Sequence, residues 1–165
     1  MNCPNCGAPM ALVRNRPAWT CSHCNTTVRM DTGLGDGVHV NAGVPSAYEC
    51  PVCHRPMVAA TLAEEHRIDA CTGCEGLLLP LPLFATTITE KRQLALTPAV
   101  TPAPASPREL RRPLDCPNCG EKMITDWYYG PGNTVIDRCE ACALVWLDGG
   151  ELQRVIDAPG PDRLA

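Results

Sequence analysis

The feature that most constrains this chain is its set of twelve cysteines, which fall into six C-x2-C pairs with none left over. The pairs group into three tetrads, whose middle spacers are 14, 17 and 19 residues long. The last two spacers lie within the range of about 15–20 residues that is typical of four-cysteine zinc sites, and the first is one residue shorter. The tetrads are Cys3, Cys6, Cys21 and Cys24; Cys50, Cys53, Cys71 and Cys74; and Cys116, Cys119, Cys139 and Cys142.

Such a cysteine count has two explanations, a disulfide scaffold in an exported protein or metal sites in a reducing compartment. The first ten residues, MNCPNCGAPM, have no charged start followed by an apolar run, so we expect no export signal. The longest apolar stretch, residues 76–88, is short and is interrupted by Pro80 and Pro82, so we expect no membrane span. We therefore predict a cytoplasmic protein with metal sites.

The three tetrads share a pattern outside their cysteines. Four residues after each first pair stands a methionine, Met10, Met57 or Met123, which we interpret as a core residue beside the metal site. An extended segment, a turn and a return to the second pair follow, as in a β-hairpin. The predicted fold class is therefore small, metal-stabilised and β-rich, with three tandem four-cysteine zinc ribbons that each contain two knuckles and a hairpin.

The composition between the tetrads predicts how the ribbons are joined. The first connection is rich in glycine and predicts a flexible linker, whereas the second alternates proline and alanine and predicts a semi-rigid spacer. The second ribbon has room for a helix after its last cysteine. The predicted ribbons are residues 1–30, 49–96 and 114–158, the linkers are 31–48 and 97–113, and the tail is 159–165.

The C-x2-C spacing itself points to structural zinc. Two cysteines in a tight turn can face one ion, provided that the residue after the second cysteine tolerates a positive φ; Gly7 and Gly120 meet this need, and Asn25 and His54 are acceptable substitutes. Two such turns close a tetrahedral site with Zn–S distances of about 2.3 Å, which leaves no open position for water or substrate. We therefore predict three structural Zn²⁺ ions and no catalytic residue, with iron as the rival metal because CPxCG also suits rubredoxin-type sites.

Zinc is expected to supply most of the folding free energy. Each ribbon has roughly forty residues, a size that rarely folds without a metal or a disulfide. Zinc binding is worth on the order of 10–16 kcal/mol in such peptides, more than the ~5–15 kcal/mol of a typical domain. Because the chain has seventeen prolines, thirteen glycines and few aromatic residues, we expect no large hydrophobic core and a largely unfolded metal-free chain.

The third repeat continues with CEACALVWLDGGELQRVID and resembles the TFIIB-type zinc ribbon of bacterial proteins over residues 116–156. The residues at the family's motif positions are Trp146, Leu147, Asp148, Gly150, Glu151 and Leu152. Leu144 replaces the family's usual glycine. The resemblance is partial over residues 50–84 and generic over residues 3–24. It implies a ribbon fold with structural zinc, and a fold does not carry a function with it.

The end of the third repeat also has a helix signal. Asp148 and Glu151 form a capping-box pattern, and the following apolar residues share one face of a short helix that ends before Pro159. Since a helix this short must dock, we expect Trp146 and Leu147 to pack it against the ribbon. In the second repeat the equivalent positions are apolar, which favours either a satellite core or a patch that docks on another module or a partner. That apolar set is Leu77, Leu78, Leu79, Leu81, Leu83 and Phe84.

The net charge of the chain bears on whether its partner is a protein or a nucleic acid. The formal net charge is −4, and residues 114–157 carry −5, whereas a duplex-DNA binder normally has a basic face. We predict a non-catalytic interaction (adaptor) module that binds a protein partner. A nucleic-acid-binding or transcription-related factor is the alternative, and a redox or zinc-handling protein is the third. The candidate nucleic-acid contacts are Arg14, Arg16, Trp19 and Arg29, with Arg108, Arg111 and Arg112 of the second linker.

Overall fold

The computed structural model describes residues 2–12, 18–29, 37–63, 65–94, 107–128 and 134–157. Within these residues the strands form two antiparallel sheets. The smaller sheet belongs to ribbon 1 and has the order β1-β2-β3, with β1 at Met10–Leu12, β2 at Ala18–Cys21 and β3 at Thr27–Arg29.

The larger sheet contains ribbons 2 and 3 together. Its seven strands run in the order β4-β5-β6-β7-β10-β9-β8, so that the two ribbons meet between β7 and β10. The strands are β4 (Val38–Glu49), β5 (Pro56–Leu62), β6 (His66–Ala70), β7 (Leu77–Pro80), β8 (Ile124–Trp127), β9 (Val135–Cys139) and β10 (Leu144–Leu147). Helix α1 (Leu81–Leu94) follows β7, and helix α2 (Glu151–Asp157) follows β10. A short 3-10 helix occupies Glu109–Arg111.

The three predicted hairpins are confirmed by strand pairing. β1 pairs with β2, β5 with β6 and β8 with β9, each antiparallel. The sequence places the hairpin turns at residues 16–17, 63–65 and 130–133; of these, residues 16–17, 64 and 130–133 lie outside the described residues. Each ribbon also has a third strand after its second knuckle, namely β3, β7 or β10, which the sequence pattern did not predict.

Most of the predicted glycine-rich linker is strand. Residues 38–48 belong to β4, which pairs with β5 through Val38 opposite Leu62 and Val40 opposite Ala60. The prediction of a flexible segment was wrong here because Val38 and Val40 alternate along the strand and bury their side chains in the core. Residues 31–36 and 97–106 of the two predicted linkers lie outside the described residues.

The junction of ribbons 2 and 3 has an approximate two-fold symmetry. Leu78 and Trp146 stand at equivalent positions, four residues after the last cysteine of each ribbon, and they are paired directly across β7 and β10. On either side of them, Leu77 pairs with Leu147 and Leu79 with Val145. This is the pairing that an isologous dimer interface shows, here built within one chain. The apolar run of the second repeat is therefore a docking patch, and ribbon 3 covers it.

The merged sheet buries a large core on one face, beneath both helices. The expectation that the chain has no such core is wrong for ribbons 2 and 3, because both ribbons contribute to one shared core. Its seventeen buried residues are Val38, Val40, Ala60, Leu62, Ile68, Ala70, Leu77, Leu79, Phe84, Ile88, Tyr128, Ile136, Val145, Leu147, Leu152, Val155 and Ile156. Ribbon 1 differs: among the side chains described there, the buried apolar cluster is Cys3, Met10 and Cys21.

The helices strengthen the junction. Phe84 of α1 contacts Tyr128, which follows β8 in the other ribbon, with ring centroids 5.6 Å apart and an edge-to-face angle of 74°. Arg92 of α1 donates a 2.7 Å hydrogen bond to the carbonyl oxygen of Val155 near the end of α2. A cation at a helix C-terminus is favourable, so this contact ties the two helices together. In the described part of the chain, neither helix has the length and apolar character that a membrane crossing requires.

Candidate metal centres

The structure gathers the twelve cysteines into the three quartets that their spacing predicts. Within each quartet, the four Sγ atoms all lie within 4.8 Å of one another. The closest Sγ–Sγ distances in ribbon 2 are 3.5 Å between Cys50 and Cys74 and 3.4 Å between Cys53 and Cys71. A tetrahedron with Zn–S bonds of about 2.3 Å has sulfur–sulfur edges of about 3.8 Å. The donor atoms therefore fit a four-coordinate Zn²⁺ ion with little adjustment.

The backbone of five of the six knuckles is a tight turn that starts at the first cysteine. In the first knuckle of ribbon 2, the N–H of Cys50 donates to the carbonyl of Arg55 and the N–H of His54 donates to the carbonyl of Cys50, each at 2.9 Å. Knuckles beginning at Cys3, Cys21, Cys71 and Cys116 repeat this pair of bonds. The turn returns the chain to its starting direction, so both sulfurs face the same point.

The residue after the second cysteine has a positive φ in all six knuckles. The four residues predicted there, Gly7, Asn25, His54 and Gly120, have φ between 56° and 77°. Two more residues follow the same rule, Glu75 with φ 62° and Ala143 with φ 50°. Their residue types carry no signal for this conformation, and only their position after the cysteine would have revealed it.

Burial and backbone donors act in opposite directions on the thiols. Burial raises the pKa of Cys50, whereas a hydrogen bond from the backbone of Arg55 lowers the pKa of Cys53 to about 7. Backbone N–H groups of Val52 and Cys53 also point at the sulfur of Cys50, both at 3.4 Å. Four thiolates this close repel one another, so a divalent cation is required to hold all of them ionised.

The three methionines lie where the sequence predicts. Met10 packs with the cysteines of ribbon 1, and Met57 and Met123 pack with those of ribbons 2 and 3, all three being buried. Within the described residues, no histidine joins a sulfur quartet. Each site thus offers four sulfur donors, the number that a tetrahedral Zn²⁺ ion takes.

Trp146 has a different role from the predicted one. It lies on the face opposite the helices, in a cluster with Met57, Met123 and Leu78 beside the cysteines of ribbons 2 and 3. Leu147 points the other way and packs with the helices, as predicted. Neighbouring residues in a strand face opposite sides of a sheet, so the two could not both support α2.

The capping prediction holds for Glu151 and fails for Asp148. The carboxylate of Glu151 accepts a 2.7 Å hydrogen bond from the backbone N–H of Asp148, as in a capping box. The Asp148 side chain does not cap α2, because Gly150 at φ +80° turns the chain before the helix begins at Glu151. Asp148 instead accepts bonds from Trp146 Nε1 at 3.0 Å and Arg112 Nη2 at 2.8 Å.

A cluster of carboxylates at this corner was not predicted. Oxygen atoms of Glu109, Asp148 and Glu151 lie within 4.8 Å of one another. Glu151 is only 3% exposed, and burial raises its pKa to about 8, assisted by the negative charges of Asp148 and Glu109. Glu109 arrives from the second linker, more than forty positions before Glu151 in the sequence, so no local pattern could have found the cluster.

The candidate nucleic-acid contacts are only partly described. Trp19 is half-buried against the cysteines of ribbon 1, whereas Arg14 and Arg16 lie outside the described residues and nothing is described of the Arg29 side chain. Arg112 contacts Asp148 at 2.8 Å and Asp137 at 3.5 Å. Its guanidinium is therefore engaged within ribbon 3.

Comparison with known proteins identifies one part of the chain. Residues 115–158 match the family model of the TFIIB zinc ribbon, which is described as a transcription factor zinc-finger. Neither among curated proteins nor among solved structures was a match found. The matched segment contains the third cysteine quartet, β8, β9, β10 and α2. Residues 115–158 are thus similar to a zinc ribbon of the TFIIB type, in agreement with the resemblance seen in the sequence.

Proposed function

We propose that this protein is a non-catalytic interaction module, an adaptor that binds a protein partner and uses zinc only to hold its shape. The observation that carries the proposal is the closure of the metal centres: each quartet offers four sulfurs within 4.8 Å, which saturates a tetrahedral ion. A saturated ion can neither activate water nor bind a substrate. The chemistry available to the molecule is then that of its surface.

The surface favours a protein over a nucleic acid as the partner. Residues 114–157 carry a net charge of −5, and a zinc ion held by four thiolates adds a further −2, so phosphate groups are repelled from ribbon 3. Arg112, one of the linker arginines, is held by Asp137 and Asp148. Twelve cysteines arranged as metal quartets also favour a reducing compartment, for which we propose the cytoplasm.

The proposal is tested by affinity capture from the native host with the zinc-loaded full chain as bait, followed by direct binding measurements on the captured protein. A matched bait with Cys116→Ser lacks one ligand of ribbon 3 and is expected to lose the partner. A saturable complex between purified components, lost in the variant, supports the adaptor function. Turnover of a small molecule by the zinc-loaded chain would contradict it.

A transcription-related role is the second candidate, because the matched family is described as a transcription factor zinc-finger. Under this alternative, ribbon 1, whose charge is +3 without zinc and +1 with zinc held by four thiolates, would contact nucleic acid through Trp19 and its arginines. Gel shifts with single-stranded and duplex probes over a range of salt concentrations distinguish the two. Binding that weakens steeply with salt favours the nucleic-acid role.

A further inference from the structure

The last knuckle of ribbon 3, which begins at Cys139, is built differently from the other five. There the N–H of Ala143 donates to the carbonyl of Glu140 at 3.3 Å, whereas in the other five knuckles the equivalent N–H donates to the carbonyl of the first cysteine at 2.8 or 2.9 Å. Leu144, which replaces the family's usual glycine, comes next and already belongs to β10. The sulfur of Cys142, the last ligand of ribbon 3, therefore lies in a turn of a different shape.

A side chain from the first knuckle of ribbon 3 reaches this sulfur. Asn118 stands between the two cysteines of that knuckle, and its Nδ2 donates to the Sγ of Cys142 at 3.1 Å. In ribbons 1 and 2 the equivalent sulfurs, those of Cys24 and Cys74, accept a hydrogen bond from the backbone N–H two positions later. A hydrogen bond to a thiolate is charge-assisted and stronger than one between neutral groups. The Asn118 amide thus does for Cys142 what the backbone does in the other two ribbons.

The amide of Asn118 is oriented from the other half of the sheet. The Tyr48 hydroxyl donates to its Oδ1 across 3.5 Å, a long hydrogen bond. Tyr48 belongs to β4, which pairs with β5 of ribbon 2, so this bond crosses the junction of the two ribbons. A thiolate can only accept, so Nδ2 faces Cys142 and the amide oxygen faces Tyr48. These contacts connect ribbon 2 to the metal centre of ribbon 3.

The approximate two-fold at the junction relates this polar pair to an apolar pair. Leu114 stands two residues before the first cysteine of ribbon 3, as Tyr48 does in ribbon 2, and Val52 occupies the position of Asn118. Leu114 is buried and Val52 is half-buried in the apolar cluster beside the cysteines. Within the described part of ribbon 2, the Cys74 sulfur contacts no side-chain donor other than a cysteine. The two metal centres of the merged sheet have equivalent ligands and different support.

We propose that Asn118 is a positioning residue of the third metal centre, whose amide helps to retain zinc and shields Cys142, and that Tyr48 orients this amide from ribbon 2. Zinc retention in ribbon 3 then depends on the docking of ribbon 2. Removal of a hydrogen-bond partner of a metal ligand typically costs about 10–100-fold in metal affinity. Because Asn118 is exposed, we expect the lower end of that range. The inference is independent of the proposed adaptor function.

The first test measures zinc release from the zinc-loaded full chain in a strong chelator, while a thiol reagent traps the freed cysteines and mass spectrometry assigns them to a ribbon. Asn118→Ala should release zinc from ribbon 3 about tenfold faster and leave ribbons 1 and 2 at their wild-type rates. The matched control is Asn5→Ala, because Asn5 has the same place in ribbon 1 but donates to Thr26 Oγ1, at 3.4 Å. Unchanged release from ribbon 3 in Asn118→Ala, or an equal acceleration of ribbon 1 by Asn5→Ala, would overturn the proposal.

A second substitution tests the contribution of ribbon 2. Tyr48→Phe removes the hydroxyl and keeps the ring in the apolar cluster, so it should accelerate release from ribbon 3 by about two- to threefold. In the Asn118→Ala background the same change should have no further effect, because the hydroxyl acts through the amide. Additive effects of the two substitutions would contradict the orienting role of Tyr48.

A spectroscopic measurement separates this hydrogen bond from general stability. In the full chain loaded with cadmium-113 in place of zinc, NMR should detect a scalar coupling between the side-chain amide protons of Asn118 and the metal, transmitted through the Cys142 sulfur. The side-chain amide of Asn5, which faces a hydroxyl, should show none. Tyr48→Phe should reduce the coupling at Asn118. Absence of that coupling in the folded, metal-loaded protein would overturn the proposal, whatever the release rates.

Discussion

The indole of Trp146 lies directly against the backbone of Gly76. A methyl group placed on Gly76 would stand 2.2 Å from Cζ2 and 2.4 Å from Cη2 of the ring. Gly76 follows the second knuckle of ribbon 2, whereas Trp146 is the motif tryptophan of ribbon 3. The side chain that marks the TFIIB-type ribbon is therefore buried against another ribbon of the same chain.

The first prediction concerns this contact. Gly76→Ala should destabilise ribbons 2 and 3 together by roughly 1–3 kcal/mol, because the indole is fully buried and has no space to move away. Urea unfolding of the zinc-saturated protein, followed by tryptophan fluorescence and circular dichroism, measures the change. Gly73→Ala is the matched control, since a methyl group there meets only the flexible end of Arg55. Equal stability of the two variants would contradict the close contact.

The second prediction concerns Asp148 as a junction for hydrogen bonds. Asp148→Ala removes the acceptor of the buried Trp146 N–H and one partner of Arg112, and should cost about 1–3 kcal/mol. Asp115→Ala removes a carboxylate that pairs with Lys122 at an exposed position, so its cost should be about 0–1 kcal/mol. Denaturant midpoints of both variants measure the difference. If Asp148→Ala behaves like Asp115→Ala, the half-buried network contributes nothing.

The third prediction is a pH dependence set by Glu151. Burial raises the pKa of this carboxyl in the folded protein to about 8, from an ordinary value of 4.5. Below about pH 4.5 the Glu151 carboxyl is protonated in both the folded and the unfolded protein, and the stability of the folded protein is unaffected by this group's ionisation. Between about pH 5 and pH 8 only the folded protein keeps the proton, so the free energy of unfolding falls as the pH rises. The Glu151→Gln variant cannot lose a proton, so its stability relative to wild type should increase over this range and level off above it.

Zinc affinity itself rises with pH as the cysteines ionise, so the measured quantity is the difference between Glu151→Gln and wild type at saturating zinc. Unfolding midpoints at several pH values give this difference. Glu90→Gln, an exposed change on α1, is the control and should follow wild type throughout. A difference between Glu151→Gln and wild type that does not vary with pH would contradict the account of the carboxylate cluster.

The cysteine pattern predicted the parts of the fold that depend on local chemistry. The quartets, the three hairpins and the buried methionines all follow from residues close to a knuckle, where spacing and turn conformation decide the structure. The helix after Asp148 was also predicted, since the spacing of its apolar residues within one short segment is enough to indicate a helix.

The parts that were missed depend on contacts between distant segments. In the sequence alone, β4 looks like a glycine-rich connection and β7 looks like an apolar run without a partner. Each is recognised as a strand only from its pairing with another strand, β5 for β4 and β10 for β7. The same holds for the carboxylate cluster, in which Glu109 meets Glu151 across the fold. Short strands carry too little periodicity to be recognised, and their tertiary context decides their conformation.

The fourth prediction separates ribbon 1 from the other two. Among the described side chains, its buried apolar cluster consists of Cys3, Met10 and Cys21, whereas ribbons 2 and 3 share seventeen buried residues away from their metal sites. A strong chelator should therefore unfold ribbon 1 completely and leave residual sheet structure in ribbons 2 and 3. Amide exchange during chelator titration measures this order. Loss of all protected amides in a single step would contradict it.

The central claim is that three closed quartets of cysteine each hold one structural zinc ion. Native mass spectrometry of the purified full chain, combined with elemental analysis, tests it most directly. The account predicts three zinc ions per chain, with all twelve cysteines protected from thiol reagents until the metal is removed. Fewer than three ions per chain, iron in place of zinc, or reactive thiols in the metal-loaded protein would contradict it.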